Sequence, residues 1–420
     1  MKSMVEGNSL LILLGMFFSV AVLTGAFSPA WAGGPKTALI VVDMQNDFAS
    51  QGGLLYNPAT EAIKPQIRLL INQARKEGLP IIFTQDWHRA DDPEFNIWPP
   101  HAIEGSPGAA IIPELEVRQG DYTICKRTYN AFFATDLDLL LRDLDIKRLV
   151  ICGTVSNICV LNTAGDAALW GYRVVIPQDA ICALNEFDQQ AALRQASFLY
   201  QAQIVTADQA FGEQMLSLPI KLDAKVPELR RTERATLLAS KSALIVVDMQ
   251  KDFAQKGGKL FVPGTKQTTV PIRSLIQKAR EAGAPIIFTQ DWHRADDPEF
   301  SIWPPHVVED TVGAQVIDEL EPQKGDYYIK KRTYDAFFGT DLDLLLRQKG
   351  VKEVLIVGTV SNICVLHTAG KARLSGYSVV LAEDAISALN PFDQALALRQ
   401  ASFLYQAKIV NSKDITFSLR

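Results

Sequence analysis

The chain has 420 residues, 48% of them hydrophobic and 21% charged, and 42 basic against 47 acidic side chains leave a formal net charge of −5. That composition excludes a disordered or collagen-like chain, and without a basic block it gives nucleic-acid binding no support. At roughly 150 residues per domain, the length predicts two or three domains, each able to bury a core.

In chain order, Lys2 precedes an apolar stretch from Leu10 to Phe27, and Ala30 and Ala32 form a small-residue cleavage pattern. Residues 1–32 therefore read as a secretory signal peptide cut before Gly33, with no stable membrane anchor after cleavage and export to a periplasmic or extracellular space. The alternative is an uncleaved anchor, but the stretch is short for a span and broken by Gly15, Ser19, Thr24 and Gly25. From residue 38 the pattern alternates. Buried strands are predicted over 38–42, 80–84, 122–125, 148–152, 173–176 and 203–205, and helices over 63–76, 137–143, 157–170 and 189–201. Apolar strand runs alternating with helices predict a parallel sheet covered on both faces, with its site at the carboxyl ends of the strands.

The pattern then starts again. Lys36 to Val205 recurs as Lys241 to Val410 at a constant offset of 205, with about two-thirds of the positions identical. The chain reads as a tandem duplication: a first domain over 33–207, a linker over 208–240 that is part helical, and a second domain over 241–420. A fused pair of this kind predicts an internal pseudo-dimer with two sites, and leaves further homo-oligomerisation open.

Four strand ends carry the reactive groups. Asp43 ends the first strand, Asp86 and His88 the second, Lys126 the third, and Cys159 follows the fourth. The second half repeats them as Asp248, Asp291, His293, Lys331 and Cys364. Of the five cysteines only Cys159 has a cysteine counterpart; Cys125, Cys152 and Cys182 are Lys330, Val357 and Ser387 in the other half, and a disulfide among those three stays open. At the start of a predicted helix and near a lysine, Cys159 is expected to have a lowered thiol pKa, with Asp43 to accept its proton. The alternative is a core cysteine with Asp43 as a turn cap. Asp86, His88, Glu94 and His101 form a mixed oxygen and nitrogen set suited to a divalent metal, zinc first and iron or manganese next, repeated as Asp291, His293, Glu299 and His306; solvated loop residues are the alternative. Phe48 and Trp98, repeated as Phe253 and Trp303, either wall a flat pocket or pack as ordinary aromatics. His367, in place of Asn162, is taken as incidental.

Three segments, Val41 to Phe48, Lys126 to Phe133 and Gly153 to Val160, make each half resemble the isochorismatase-like cysteine hydrolases over about 37–206 and 242–411. The resemblance implies a three-layer α/β/α fold around a six-stranded, Rossmann-like parallel sheet. It also implies a catalytic triad of Asp43, Lys126 and Cys159, then Asp248, Lys331 and Cys364, and a cis peptide before Val155 and Val360. The amides of Val155 and Cys159, and of Val360 and Cys364, would form an oxyanion hole. The segment from Gln85 to His101 is similar to the nicotinamidases, which implies a metal held by the Asp and His residues, and Phe48 and Trp98 sandwiching a pyridine ring. Lys126 lies only three residues before Tyr129, as in metal-free members. This keeps another carboxamide, a ureido or carbamoyl amide, or an isochorismatase-like substrate open beside nicotinamide. An exported metal- or ligand-binding module without catalysis is the reading from a different class.

Overall fold

A computed structural model describes residues 36–213 and 215–419; the expected signal peptide over 1–32 lies outside them. The first half has strands β1 (Thr37–Val42), β2 (Ile81–Asp86), β3 (Tyr122–Lys126), β4 (Arg148–Thr154), β5 (Arg173–Pro177), β6 (Ile181–Cys182) and β7 (Gln203–Val205), and helices α1 (Asn46–Ala49), α2 (Thr60–Lys76), α3 (Leu137–Asp143), α4 (Leu161–Leu169) and α5 (Glu186–Phe198). After β8 (Ala235–Leu238), the second half has β9 (Ser242–Val247), β10 (Ile286–Asp291), β11 (Tyr327–Lys331), β12 (Glu353–Thr359), β13 (Ser378–Ser387), β14 (Lys408–Val410) and β15 (Ile415–Ser418). Its helices are α6 (Lys251–Ala254), α7 (Thr265–Glu281), α8 (Leu342–Gln348), α9 (Leu366–Leu374) and α10 (Pro391–Phe403).

Both main sheets are parallel. The first runs β3-β2-β1-β4-β5-β7, with β6 beside β4, and the second runs β11-β10-β9-β12-β13-β14. The expected six-stranded order is thus met in the second half, whereas the first has a short seventh strand. Pro177 explains the difference: it has no N–H to continue a ladder, so β5 stops there, and a 3-10 turn at Gln178–Ala180 leads into β6. Ala382 stands in its place in the second half, and β13 runs through.

Period-two alternation sorts the core. Leu39 and Val41 face Ile63, Ile67, Leu70, Ile71 and Ala74, which line one side of α2. Ala38, Ile40 and Val42 face the other way, into a buried cluster shared with Ala243, Ile245 and Val247 of the second half. The described residues form one compact unit. Among those between 208 and 240 there is no α-helix, contrary to the part-helical expectation. Leu218 N–H bonds the Ile204 carbonyl, Thr232 N–H bonds the Ile409 carbonyl, and Arg231 pairs with Glu383 at 2.9 Å. The stretch then enters β8, which pairs in parallel with β15. No helix among the described residues is long and apolar enough to cross a membrane.

In each sheet the strand order reverses between the first and fourth strands, β1 and β4 or β9 and β12, so a crevice opens at their carboxyl ends. Gly153 makes the close approach there possible. Its φ is +119°, and a Cβ at this position would lie 2.1 Å from the Val42 carbonyl oxygen.

Candidate active sites

The Lys126 side chain is fully buried and its ammonium has three partners of the site around it. Nζ lies 2.7 Å from Asp43 Oδ2, 2.5 Å from Asp86 Oδ1 and 3.6 Å from Cys159 Sγ, and it donates to the Thr128 carbonyl at 3.0 Å. In the second half Lys331 Nζ is 2.8 Å from Asp248 Oδ2 and 3.5 Å from Cys364 Sγ, and it is bonded to Asp291. The groups at successive strand ends therefore do converge, twice.

Neighbours hold each carboxylate in place. Thr84 donates its hydroxyl to Asp43 Oδ1 at 2.6 Å, and Asp43 itself adopts φ 51°, in the left-handed region. Gln45 accepts from the Asp86 N–H and donates to the Asp86 carbonyl, both at 2.8 Å, which fixes the end of β2. Thr289 and Gln250 repeat these contacts.

The peptide bonds before Val155 and Val360 are cis, as the resemblance implied. Cys159 lies within a π-type turn, Ser156–Val160, that runs into α4, and not at the head of a regular helix as expected. Its thiol pKa also moves opposite to the expectation. Burial pushes it well above the ordinary value, Lys126 opposes that, and the Asp43 and Asp86 carboxylates add to it. Burial likewise holds the Asp43 carboxyl above its ordinary value in spite of Lys126. The resting pair is thus a protonated thiol beside a carboxylate of raised basicity. All five cysteines are free.

Beside this group lies a second one. Asp86, His88 and His101 bring one donor atom each within 4.8 Å of one another, as do Asp291, His293 and His306. His88 is fully buried and neither of its ring nitrogens makes a hydrogen bond. Nε2 is 3.9 Å from Asp86 Oδ2, and Nδ1 faces Asp92 at 3.3 Å; Asp92 is in turn held by Arg127 at 2.7 Å. His101 Nδ1 is 2.8 Å from the Pro99 carbonyl, which can only accept, so Nδ1 carries the proton and Nε2 keeps its lone pair. Two imidazoles and one carboxylate with free lone pairs, one imidazole backed by an outer acid, fit a divalent cation. Glu94 and Glu299, expected as ligands beside them, belong to no mutually close donor set among the described residues. Each sits on a 3-10 turn with its N–H held by the preceding Asp, and its carboxyl lines the cavity instead. Burial, and then the nearby Asp86 or Asp291, pushes that carboxyl up to about 8.

Phe48 and Trp98 line the first cavity with Asp43, Asp86, His101 and Cys159, and Phe253 and Trp303 line the second. Val155 and Val360 line them too. Each tryptophan Nε1 donates to a cavity tyrosine that the sequence reading did not single out, Trp98 to Tyr129 at 3.0 Å and Trp303 to Tyr334 at 3.2 Å. The cavities differ in volume, about 70 Å³ in the first half and about 310 Å³ in the second. They also differ at the rim, where exposed Lys259 lines the second cavity and Leu54 is its counterpart.

A model of the isochorismatase domain matches residues 37–209 and again 242–414. The isochorismatase family protein PncA of Bacillus subtilis is 35% identical over 170 residues, which span 38% of this chain and 92% of that protein. The ureidoacrylate amidohydrolase RutB of Agrobacterium fabrum is 29% identical over 207 residues, 43% of this chain and 86% of that one. Among solved structures, the pyrazinamidase of Pyrococcus horikoshii in complex with zinc is 33% identical over 41% of this chain and 99% of its own, with a TM-score of 0.39.

Proposed function

Since the chain belongs to the isochorismatase family, whose domain it carries twice, we propose that each half is a cysteine amidohydrolase of its own, acting on a small carboxamide, with nicotinamide as the first substrate. The observation that carries this reading is the buried contact of Asp43, Lys126 and Cys159 at the floor of an aromatic-walled cavity, repeated as Asp248, Lys331 and Cys364.

Asp43 takes the thiol proton of Cys159, and the sulfur attacks the carboxamide carbon. The amides of Val155 and Cys159 hold the oxyanion of the tetrahedral intermediate. Asp43 returns its proton to the departing nitrogen, so ammonia leaves and a thioester remains. Water, deprotonated by Asp43, attacks the thioester, the acid is released and the thiol is restored. The Lys126 ammonium offsets the charge that moves between carboxylate, sulfur and oxyanion. Asp248, Lys331, Cys364 and Val360 do the same in the second half. A divalent cation held by Asp86, His88 and His101, zinc by its donor set, would supply a Lewis acid to hold a ring nitrogen of the substrate. Phe48 and Trp98 orient a planar ring between them.

A ureido or carbamoyl acid is the second reading, and Lys259 supports it: the roomier cavity has at its mouth an ammonium that forms no ion pair among the described residues. Ammonia release is measured from nicotinamide, from neutral carboxamides and from carbamoyl acids, with and without chelator. Release from nicotinamide that chelator stops supports the first reading. Release only from carbamoyl acids, weakened by Lys259→Leu, supports the second. Turnover that survives Cys159→Ala with Cys364→Ala overturns both.

A further inference from the structure

The same five-residue run, Arg194 to Phe198 on α5 and Arg399 to Phe403 on α10, lies at the junction of the halves. Each arginine forms a two-point pair with the buried aspartate of the opposite helix. Arg194 meets Asp393 at 3.0 and 2.9 Å, and Arg399 meets Asp188 at 3.1 and 2.8 Å. Each guanidinium also lies over the phenylalanine one turn on, 3.8 Å from the Phe198 ring and 3.9 Å from the Phe403 ring. The glutamine next to each arginine reaches further. Gln400 Nε2 donates to the Asn157 carbonyl at 2.5 Å, and Asn157 Nδ2 donates to Gln400 Oε1 at 2.8 Å. Gln195 does the same with Asn362, at 2.7 and 2.9 Å. All four residues are buried.

Asn157 stands two residues before Cys159, in the turn that carries the thiol, and Asn362 two before Cys364. The phenylalanines close the frame. Phe403 packs edge-on against Trp98, a wall of the first cavity, and Phe198 against Trp303, a wall of the second, with ring centroids 5.5 and 5.4 Å apart. Helix α10 therefore fixes two parts of the Cys159 site, and α5 two parts of the Cys364 site.

We propose that each active site is positioned by the opposite half: Gln400 and Phe403 set the Cys159 turn and Trp98, and Gln195 and Phe198 set the Cys364 turn and Trp303. These are positioning residues, since they act through the turn and the wall. A two-point amide contact fixes both the position and the tilt of the Asn157 peptide. In a buried interface an unpaired peptide carbonyl is costly, so the turn shifts when the glutamine goes. This rests on the reading of Cys159 and Cys364 as the nucleophiles.

The test uses the full chain with one site silenced. Cys364→Ala leaves the Cys159 site, and Cys159→Ala leaves the other. Gln400→Ala and Gln195→Ala are each placed in both backgrounds, and kcat and KM are measured on the best amide found. The expected result is crossed. Gln400→Ala lowers kcat by tenfold or more when Cys159 is the surviving nucleophile, and Gln195→Ala does so when it is Cys364, each loss at least fivefold larger than in the other background. Phe403→Ala is expected to raise KM at the Cys159 site more than it lowers kcat. Gln400→Met and Gln195→Met keep the side-chain volume and are read the same way if the alanine variants melt early. Equal losses in both backgrounds, or a larger loss in the glutamine's own half, overturn the proposal. Turnover persisting in the double cysteine variant would instead overturn the nucleophile reading and leave the crossed pattern without meaning.

Discussion

Asp43 and Lys126 form an ion pair that both burial and a second carboxylate disturb, and the consequences can be separated. Asp43→Asn removes the base but also removes a negative charge that raises the Cys159 thiol pKa. With Cys364 silenced, kcat is expected to fall at least a hundredfold while alkylation of Cys159 by iodoacetamide at pH 7 becomes faster. Slower alkylation would mean that Asp43 supports the thiol structurally and not as a base. His367, expected to be incidental, is a second instructive residue. Its Nδ1–H donates to the Ile363 carbonyl at 2.6 Å and its Nε2 accepts from Tyr200 of the first half. Asn162 makes the same pair of bonds, with Ile158 at 2.9 Å and Tyr405 at 3.4 Å. Burial lowers the His367 pKa to about 4 from its ordinary 6.5. Its folded pKa is depressed, so the neutral ring's contribution is complete above pH 6.5 and is lost as pH falls toward 4. His367→Asn is therefore expected to match the parent in stability at pH 7 and to be more stable near pH 4, by on the order of 2 kcal/mol. Parallel melting curves for the two proteins across that range would refute this.

The six main strands of the first half were legible to within a few residues, most of them from apolar runs, although β3 exposes Thr123 and Cys125; the Cys159 turn was not, because nothing in the run from Val155 to Val160 distinguishes a π-type turn from the first turn of a helix. The triad and the tryptophans were legible from motif and repetition. Tyr129 and Gln45 were not, since their roles depend on what lies across the crevice. Glu94 is a related case: its residue type suits a metal, and the 3-10 turn that carries it also puts it among the residues that line the cavity. The same crevice limits what the strand end tolerates. Gly153→Ala would drive a Cβ against the Val42 carbonyl at a φ of +119°. It is expected to destabilise the fold by about 3 kcal/mol or more and, in the fraction that stays folded, to lower turnover at Cys159 more than at Cys364. An unchanged melting temperature would show that the two strands can part at little cost.

At the scale of the molecule, the linker is part of the fold: β8 joins β15, and Arg231 ties the stretch to Glu383. Sequence showed the duplication and pointed to a pseudo-dimer but not which residues the halves share in one buried cluster, because an interface between two copies of one domain has the composition of either core. From the sequence of residues 1–32 we propose that the protein is exported. Cell fractionation is expected to recover it there with Gly33 at its N-terminus; a cytoplasmic chain that begins at Met1 would refute it.

The matched run of arginine, glutamine and phenylalanine on α5 and α10 has one further consequence. Two identical copies meeting through such a run obey a two-fold rule, by which every substitution in one is written into its partner as well. Joining the copies end to end lifts that rule. Leu54 opposite Lys259 and Asn162 opposite His367 are differences that a symmetric pair of separate chains cannot hold. The covalent join keeps the reciprocal brace and gives each half its own inheritance: one pocket can drift toward a new molecule while the other keeps the old trade.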